Sequence, residues 1–146
     1  MTAKAFVDSN ILIYAHDADA GPKQKIAAAQ IRALWEDQSG RISTQVLQEF
    51  YVTVTQKLGK PLSRSDAREI VRDYAQWVAT PTTAQTVIRA SEISEGWKLS
   101  FWDSLILAAA EEQDCSTVLT EDLNSGQTVA GIQIINPFLK NRAIPV

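Results

Sequence analysis

The chain has 146 residues, 45% hydrophobic and 21% charged, which is enough for one well-buried core and hardly for two domains. Its single cysteine, Cys115, excludes an internal disulfide and suits a reducing compartment, and its longest apolar run, Leu105 to Ala110, is far too short to span a membrane. The net charge of −3 argues against a nucleic-acid partner only if the acids are spread evenly; setting aside four of the 17 acids, assigned below to one site, leaves 13 against 14 bases.

In chain order, the apolar pattern alternates short β-rich runs with longer segments of helical spacing, as in α/β folds with a parallel sheet. Phe6-Val7 is strand-like and stops at Asp8, which also interrupts any signal-peptide pattern; a cytoplasmic protein is expected. Ile11, Leu12, Tyr14 and Ala15 read as a short helix. Pro22 opens the next, in which Ile26, Ala29, Ile31, Ala33 and Leu34 supply the apolar face. Arg41-Ile42-Ser43 is the second strand. It leads into a helix with Val46, Phe50 and Val54 at i, i+4 and i+8, ending near Gly59. Ser63 or Ser65 caps a helix carrying Ile70, Val71, Tyr74 and Trp77, and Trp77-Val78-Ala79 reads as a third strand closed by Pro81. Thr82 to Glu95 is helical with Gly96 as its stop, and a last helix runs from about Trp102 to Gln113. Ser116 to Leu119 and Ile132 to Ile135 complete five strands of one doubly wound sheet, in a single domain over residues 1–146.

Ligands of such sheets bind beyond the carboxyl ends of the strands. Asp8 ends the first strand and Asp122 follows the fourth, while Glu49 and Asp103 sit in early turns of helices. Each acid also has a structural reading. Asp8 suits a helix cap, Glu49 a solvated face, Asp103 a capping box with Ser100, and Asp122 a turn before Asn124-Ser125-Gly126. Taken singly, those readings are the better ones. Taken together they are not, because two unit charges about 4 Å apart repel by about 4 kcal/mol at an effective dielectric of 20. Four acids sharing a pocket need a cation, and an all-oxygen donor set suits Mg²⁺ or Mn²⁺. Such a site fits metal-assisted phosphodiester hydrolysis.

Four segments carry a resemblance: Phe6 to Ala15, Val46 to Phe50, Ser100 to Ile106 and Leu119 to Leu123. In order, spacing and context they resemble the PIN-domain family, specifically its VapC-like toxins, over nearly the whole chain. The resemblance implies a Rossmann-like α/β/α sandwich around a parallel five-stranded sheet. It implies that Asp8, Glu49, Asp103 and Asp122 are the catalytic acids, holding one or two Mg²⁺ or Mn²⁺ ions, with Asn10 and Thr120 in support. It implies an endoribonuclease acting through metal-activated water, usually homodimeric and held inactive by a separate antitoxin protein.

Other features are weaker. Arg64, Arg68 and Arg72 line one helical face and suit either RNA phosphates or a solvated face laced to Asp66, Glu69 and Asp73. Lys140 and Arg142 could help hold a substrate strand or belong to a frayed tail. His16 reads as a surface residue, the four tryptophans as core or interface anchors, and Cys115 as a small buried hydrophobe. Aspartyl-phosphate phosphatases of the haloacid dehalogenase type need an acid where Asn10 stands, and receiver domains need a Lys after the last strand, where Asn136-Pro137 stands. The remaining rival is a PIN-like module that binds RNA or a partner without cutting, against which all four acids speak.

Overall fold

A computed structural model describes residues 3–139; Lys140 and Arg142 lie outside them. Five strands, β1 (Lys4–Val7), β2 (Gly40–Arg41), β3 (Cys115–Leu119), β4 (Thr128–Val129) and β5 (Ile132–Ile135), form one sheet in the order β2-β1-β3-β5-β4. The six α-helices are α1 (Ser9–Ala15), α2 (Pro22–Asp37), α3 (Thr44–Gln56), α4 (Arg64–Tyr74), α5 (Ala84–Trp97) and α6 (Phe101–Glu112). The chain moves outward from β1 in both directions, so right-handed crossovers put helices on opposite faces of the sheet. Phe6, Val7, Val118 and Ile134 are fully buried in its centre, as expected for central parallel strands covered on both faces.

The sheet is α/β and five-stranded as expected, but its strands are not the expected five. Trp77-Val78-Ala79 forms no strand; Ala75–Trp77 is a 3₁₀ turn running on from α4. The backbone beyond it finds its partners in a side chain. Gln113 Oε1 accepts from the amides of Ala79 (2.7 Å) and Thr80 (3.3 Å), while its Nε2 donates to the carbonyl of Ile42 at 3.0 Å. A buried glutamine thus takes the place of a neighbouring strand.

The fifth strand is instead β4, which makes the sheet mixed: it pairs antiparallel with β5, while the other pairings are parallel. Ala130 (φ 50°) and Gly131 (φ 80°) make its two-residue turn, both in the positive-φ region that a type I′ hairpin demands. Helix α5 runs through Gly96 and ends with Lys98 in the left-handed conformation, beyond the expected stop. Pro22 does open α2, and Ser63 rather than Ser65 caps α4, accepting from the Asp66 amide at 3.1 Å.

Two features bring the chemistry to one end. Val7 of β1 is in register with Leu119 of β3, and the Asp8 amide donates to the Leu119 carbonyl at 3.0 Å. The two central strands therefore end side by side, with Asp8 next to Thr120. Ser43 caps α3 through the Val46 amide and Ser100 caps α6 through the Asp103 amide, so both helices begin with their orphan amides satisfied.

Candidate active site

Asp8 is both a cap and the centre of a polar network. One carboxylate oxygen accepts from the Ser9 amide at 2.7 Å, at the start of α1. The other accepts from the Thr120 hydroxyl at 2.7 Å and, more distantly, from the Asn10 amide at 3.4 Å. Only 6% of Asp8 is exposed. Burial pushes its pKa up to about 6; the Glu49 and Asp122 charges act in the same direction, and the Thr120 and Ser9 hydrogen bonds oppose them.

Asn10 and Thr120 tie Asp8 to Asp122. The Asn10 side-chain nitrogen donates to Asp122 Oδ2 at 3.0 Å, and the Asp122 amide donates to the Thr120 hydroxyl oxygen at 3.1 Å. Asn10 Oδ1 accepts the Glu121 amide at 3.2 Å. One asparagine thus bridges two carboxylates and holds the loop after β3.

Glu49 enters from α3. Its side chain is exposed, yet desolvation is the largest influence on it and raises its pKa, with the Asp122 and Asp103 charges adding to the rise and hydrogen bonds from Ser9 and Gln45 opposing it. Asp103, half-buried in the first turn of α6, completes the set through its repulsion of Glu49. The four acids therefore share one electrostatic neighbourhood, with Asp8 coupled to Glu49 and Asp122, and Glu49 coupled to Asp122 and Asp103.

Whether this neighbourhood suits a cation can be judged from its donors. Carboxylates and neutral oxygens line it, with no thiolate or imidazole, which is the donor chemistry of Mg²⁺ and Mn²⁺. Gln45 Oε1, one turn before Glu49, is buried without a hydrogen-bond partner, leaving an acceptor unsatisfied beside that acid. The donor set thus fits in kind. The acids are gathered but not closed around a point, since among the described residues no three His, Cys, Asp or Glu side chains form a ligating group. Asn10 accounts for part of that spacing, because its amide occupies the space between Asp8 and Asp122.

A second layer of residues has no signal in the spacing of the acids. Glu121 accepts from the Tyr14 hydroxyl at 2.6 Å and is ion-paired with Lys23 from the start of α2. The Lys23 ammonium lies 4.8 Å from the Tyr14 ring centroid and 5.3 Å from that of Phe138, and the two rings meet edge to face. Glu121 is turned into this clamp, which anchors the loop carrying Asp122. The alternation of Tyr14, Lys23 and Glu121 in sequence carries no hint that they meet.

Among the described residues, the arginines form no ion pair with the four acids. Arg64, Arg68 and Arg72 lie exposed on α4, and Arg72 is ion-paired with Glu69. His16 is not the surface residue expected. It is half-buried between Phe50 and Tyr74, its Nε2 is 2.8 Å from the Tyr74 hydroxyl, and burial lowers its pKa. Trp77 is core, and Trp35 packs against it at 4.6 Å between ring centroids. Trp97 and Trp102 are exposed, Trp102 by 65%, so neither anchors this core. Cys115 is buried as expected, its thiol pushed up to about 12, chiefly by desolvation.

The PIN domain family matches residues 5–128, a span that contains all four acids, and the chain belongs to that family. Three solved structures share the fold at low identity. A toxin–antitoxin complex from Klebsiella pneumoniae superposes with a TM-score of 0.67 at 17% identity, covering 92% of this chain and 98% of its own. VapBC2 from Rickettsia felis, bound to a DNA fragment from its promoter, has a TM-score of 0.58 at 14% identity and covers 89% and 96%. VapC20 from Mycobacterium tuberculosis, a toxin cleaving the sarcin–ricin loop, has a TM-score of 0.57 at 18% identity and covers 82% and 90%. No curated protein sequence matches the chain. Among the described residues, no helix is long and apolar enough to cross a membrane.

Proposed function

We propose that this protein is a Mg²⁺- or Mn²⁺-dependent endoribonuclease, and the toxin of a toxin–antitoxin pair. The observation that carries the reading is the buried Asp8, raised to about 6 and coupled to Glu49 and Asp122 at the carboxyl ends of the central strands. A buried carboxylate facing two further acids opposes folding, so a fold that keeps one there has a use for it. Membership of the PIN family and the toxin structures sharing its fold support the same reading.

In this scheme Asp8, Glu49, Asp103 and Asp122 hold the cation, which when bound supplies an acidified water and offsets charge on the leaving oxygen. The protein's own residues set the stage. Thr120 and the Ser9 amide hold Asp8 in one orientation, so that its carboxylate meets the cation without a rotamer search. Asn10 keeps Asp122 near Asp8, sharing one donor between two repelling groups. The Asn10 amide is thus the neutral group between the two acids that would hold the cation. Glu49 stands at the solvent side, where a phosphodiester enters. No nucleophilic serine or cysteine is required, so no covalent intermediate forms.

The partners follow from the same reading: an RNA substrate, a cognate antitoxin encoded as a separate chain, and a second copy of the protein in a cytoplasmic homodimer, with residues 1–146 forming one domain. The direct test is incubation of purified protein with a mixed cellular RNA pool, in Mg²⁺ or Mn²⁺ and in EDTA. Discrete cleavage products that vanish in EDTA are expected. Partner-free protein that neither cuts RNA nor binds divalent cation contradicts the reading.

A further inference from the structure

We infer that the outer face of α3 is a binding track for single-stranded RNA, leading from the acids to Lys57; this rests on the nuclease reading above. The track begins in a cleft of about 390 Å³ lined by Ser9, Gln48, Glu49, Val52, Thr53 and Lys57. Ser9 and Glu49 belong equally to the acidic site, so the cleft opens directly onto the place where a scissile phosphate has to lie. Lys57 supplies the cation at its far end. Among the described residues Lys57 makes no ion pair, and neither do Arg64 and Arg68 on the neighbouring helix, whereas Arg72 is bound to Glu69.

A second cleft of about 320 Å³ shares Gln48 and Val52 with the first and continues across Leu47, Tyr51 and Val71. Both volumes fall at the low end of ligand pockets, about 300–1,000 Å³. Val71 is contributed by α4, where Arg64 and Arg68 precede it by seven and three residues and so share its face. The paired clefts therefore join apolar side chains to one lining cation, Lys57, with Arg64 and Arg68 exposed on the neighbouring α4. Val52 is the residue that looks out of place, since 40% of this valine is exposed on a helix whose other valines, Val46 and Val54, are fully buried.

That composition fits RNA chemistry. Unpaired bases need flat apolar surface, and the backbone needs cations at intervals. Glu49 and Lys57 are eight residues apart, about 12 Å along the helix, a span of a few nucleotides of backbone. Such a track places a base on Val52 and Tyr51 and a phosphate at Lys57 when another phosphate lies at the acids. It also divides the arginines of α4, assigning Arg64 and Arg68 to the rim and leaving Arg72 to its intrahelical pair.

The test is fluorescence anisotropy with a labelled 12-nucleotide single-stranded RNA of mixed sequence, using full-length Asp103→Asn protein so that the probe survives. Lys57→Gln and Val52→Glu are added to that background, with Val87→Glu on α5 as a control at an equally exposed valine. Lys57→Gln is expected to weaken binding about fivefold at 0.1 M salt and to lower the slope of log affinity against log salt by about 0.7. Val52→Glu is expected to weaken it at least tenfold, with Val87→Glu unchanged and all melting temperatures alike. Unaltered binding in both track variants, equal loss in the control, or no RNA binding in the Asp103→Asn parent overturns the proposal. The nuclease reading is separated by the wild-type protein. Cutting that ignores Lys57→Gln and Val52→Glu removes the track and keeps the nuclease; track-dependent binding without any cutting does the reverse.

Discussion

Thr120 donates its hydroxyl to Asp8 Oδ2 at 2.7 Å across 112 residues of sequence, joining the ends of the two central strands at a buried carboxylate. The Thr120 hydroxyl oxygen also accepts the Asp122 amide at 3.1 Å, so a single hydroxyl orients one acid through its side chain and another through its backbone. Replacing Thr120 with the near-isosteric valine removes both contacts without changing shape. Thr120→Val is expected to destabilise the protein by about 1–3 kcal/mol, the cost of stranding buried polar partners. It also removes a hydrogen bond that lowers the pKa of Asp8, so that pKa rises further. Urea denaturation and the ¹³C carboxyl shift of Asp8 against pH check the two effects.

Asp8 itself gives a pH-dependent signature. Its folded pKa of about 6 lies above the unfolded value of 3.8, so the folded state holds the proton more tightly. Its contribution to stability is complete below about pH 4 and is lost as pH rises through 6. Asp8→Asn is uncharged throughout. In EDTA, the stability of Asp8→Asn relative to wild type should therefore grow by about 3 kcal/mol between pH 4 and pH 7, taking 1.36 kcal/mol per pKa unit. Urea denaturation at intervals across that range checks it, and a flat difference would show that Asp8 is not strained by burial. Adding Mn²⁺ at pH 7 should stabilise the wild type and leave Asp8→Asn nearly unmoved.

The missing third strand predicts the importance of Gln113. Gln113→Leu retains the volume but strands the Ala79 and Thr80 amides and the Ile42 carbonyl. A loss of about 2–5 kcal/mol is expected, at about 1–3 kcal/mol for each group left unsatisfied and less where water reaches it. Hydrogen exchange should show the Ala79 amide losing its protection. An unchanged melting temperature would mean that the segment after Trp77 is held by something else.

Gly40 has no room for a side chain. A Cβ there meets three ring atoms of Trp77 at 2.8 to 3.0 Å, and the ring is itself packed against Trp35 and Tyr74. Gly40→Ala is expected to cost about 1–3 kcal/mol as the core overpacks, read as a fall in melting temperature of several degrees.

The architecture was legible because its long helices have strong apolar periodicity and because Asp8 and Leu119 close runs of apolar residues that become the central strands. Trp77 to Ala79 reads as a strand for a local reason: Trp-Val-Ala has the composition of one, and only the tertiary contact from Gln113 shows why it is not. The β4–β5 hairpin has a weak sequence signal because Ala130-Gly131 lacks the asparagine or aspartate that usually marks a type I′ turn. At the site, the acids could be placed from strand ends and helix caps. The clamp of Tyr14, Lys23 and Glu121 could not, since ion pairs across 98 and hydrogen bonds across 107 residues leave no periodic trace. His16 reads as a surface residue in sequence because its partner, Tyr74, lies 58 residues away.

The measurement that tests the central claim most directly is cleavage of RNA by wild-type and Asp103→Asn protein side by side, in Mg²⁺ and with folding verified by circular dichroism. Asp103 sits in the first turn of α6, where Ser100 already caps the helix, so its charge is dispensable to the fold. A folded Asp103→Asn protein with activity reduced by at least a hundredfold is the expected result. Full activity in the folded variant, or loss of activity only through loss of the fold, would contradict the assignment of these four acids to catalysis.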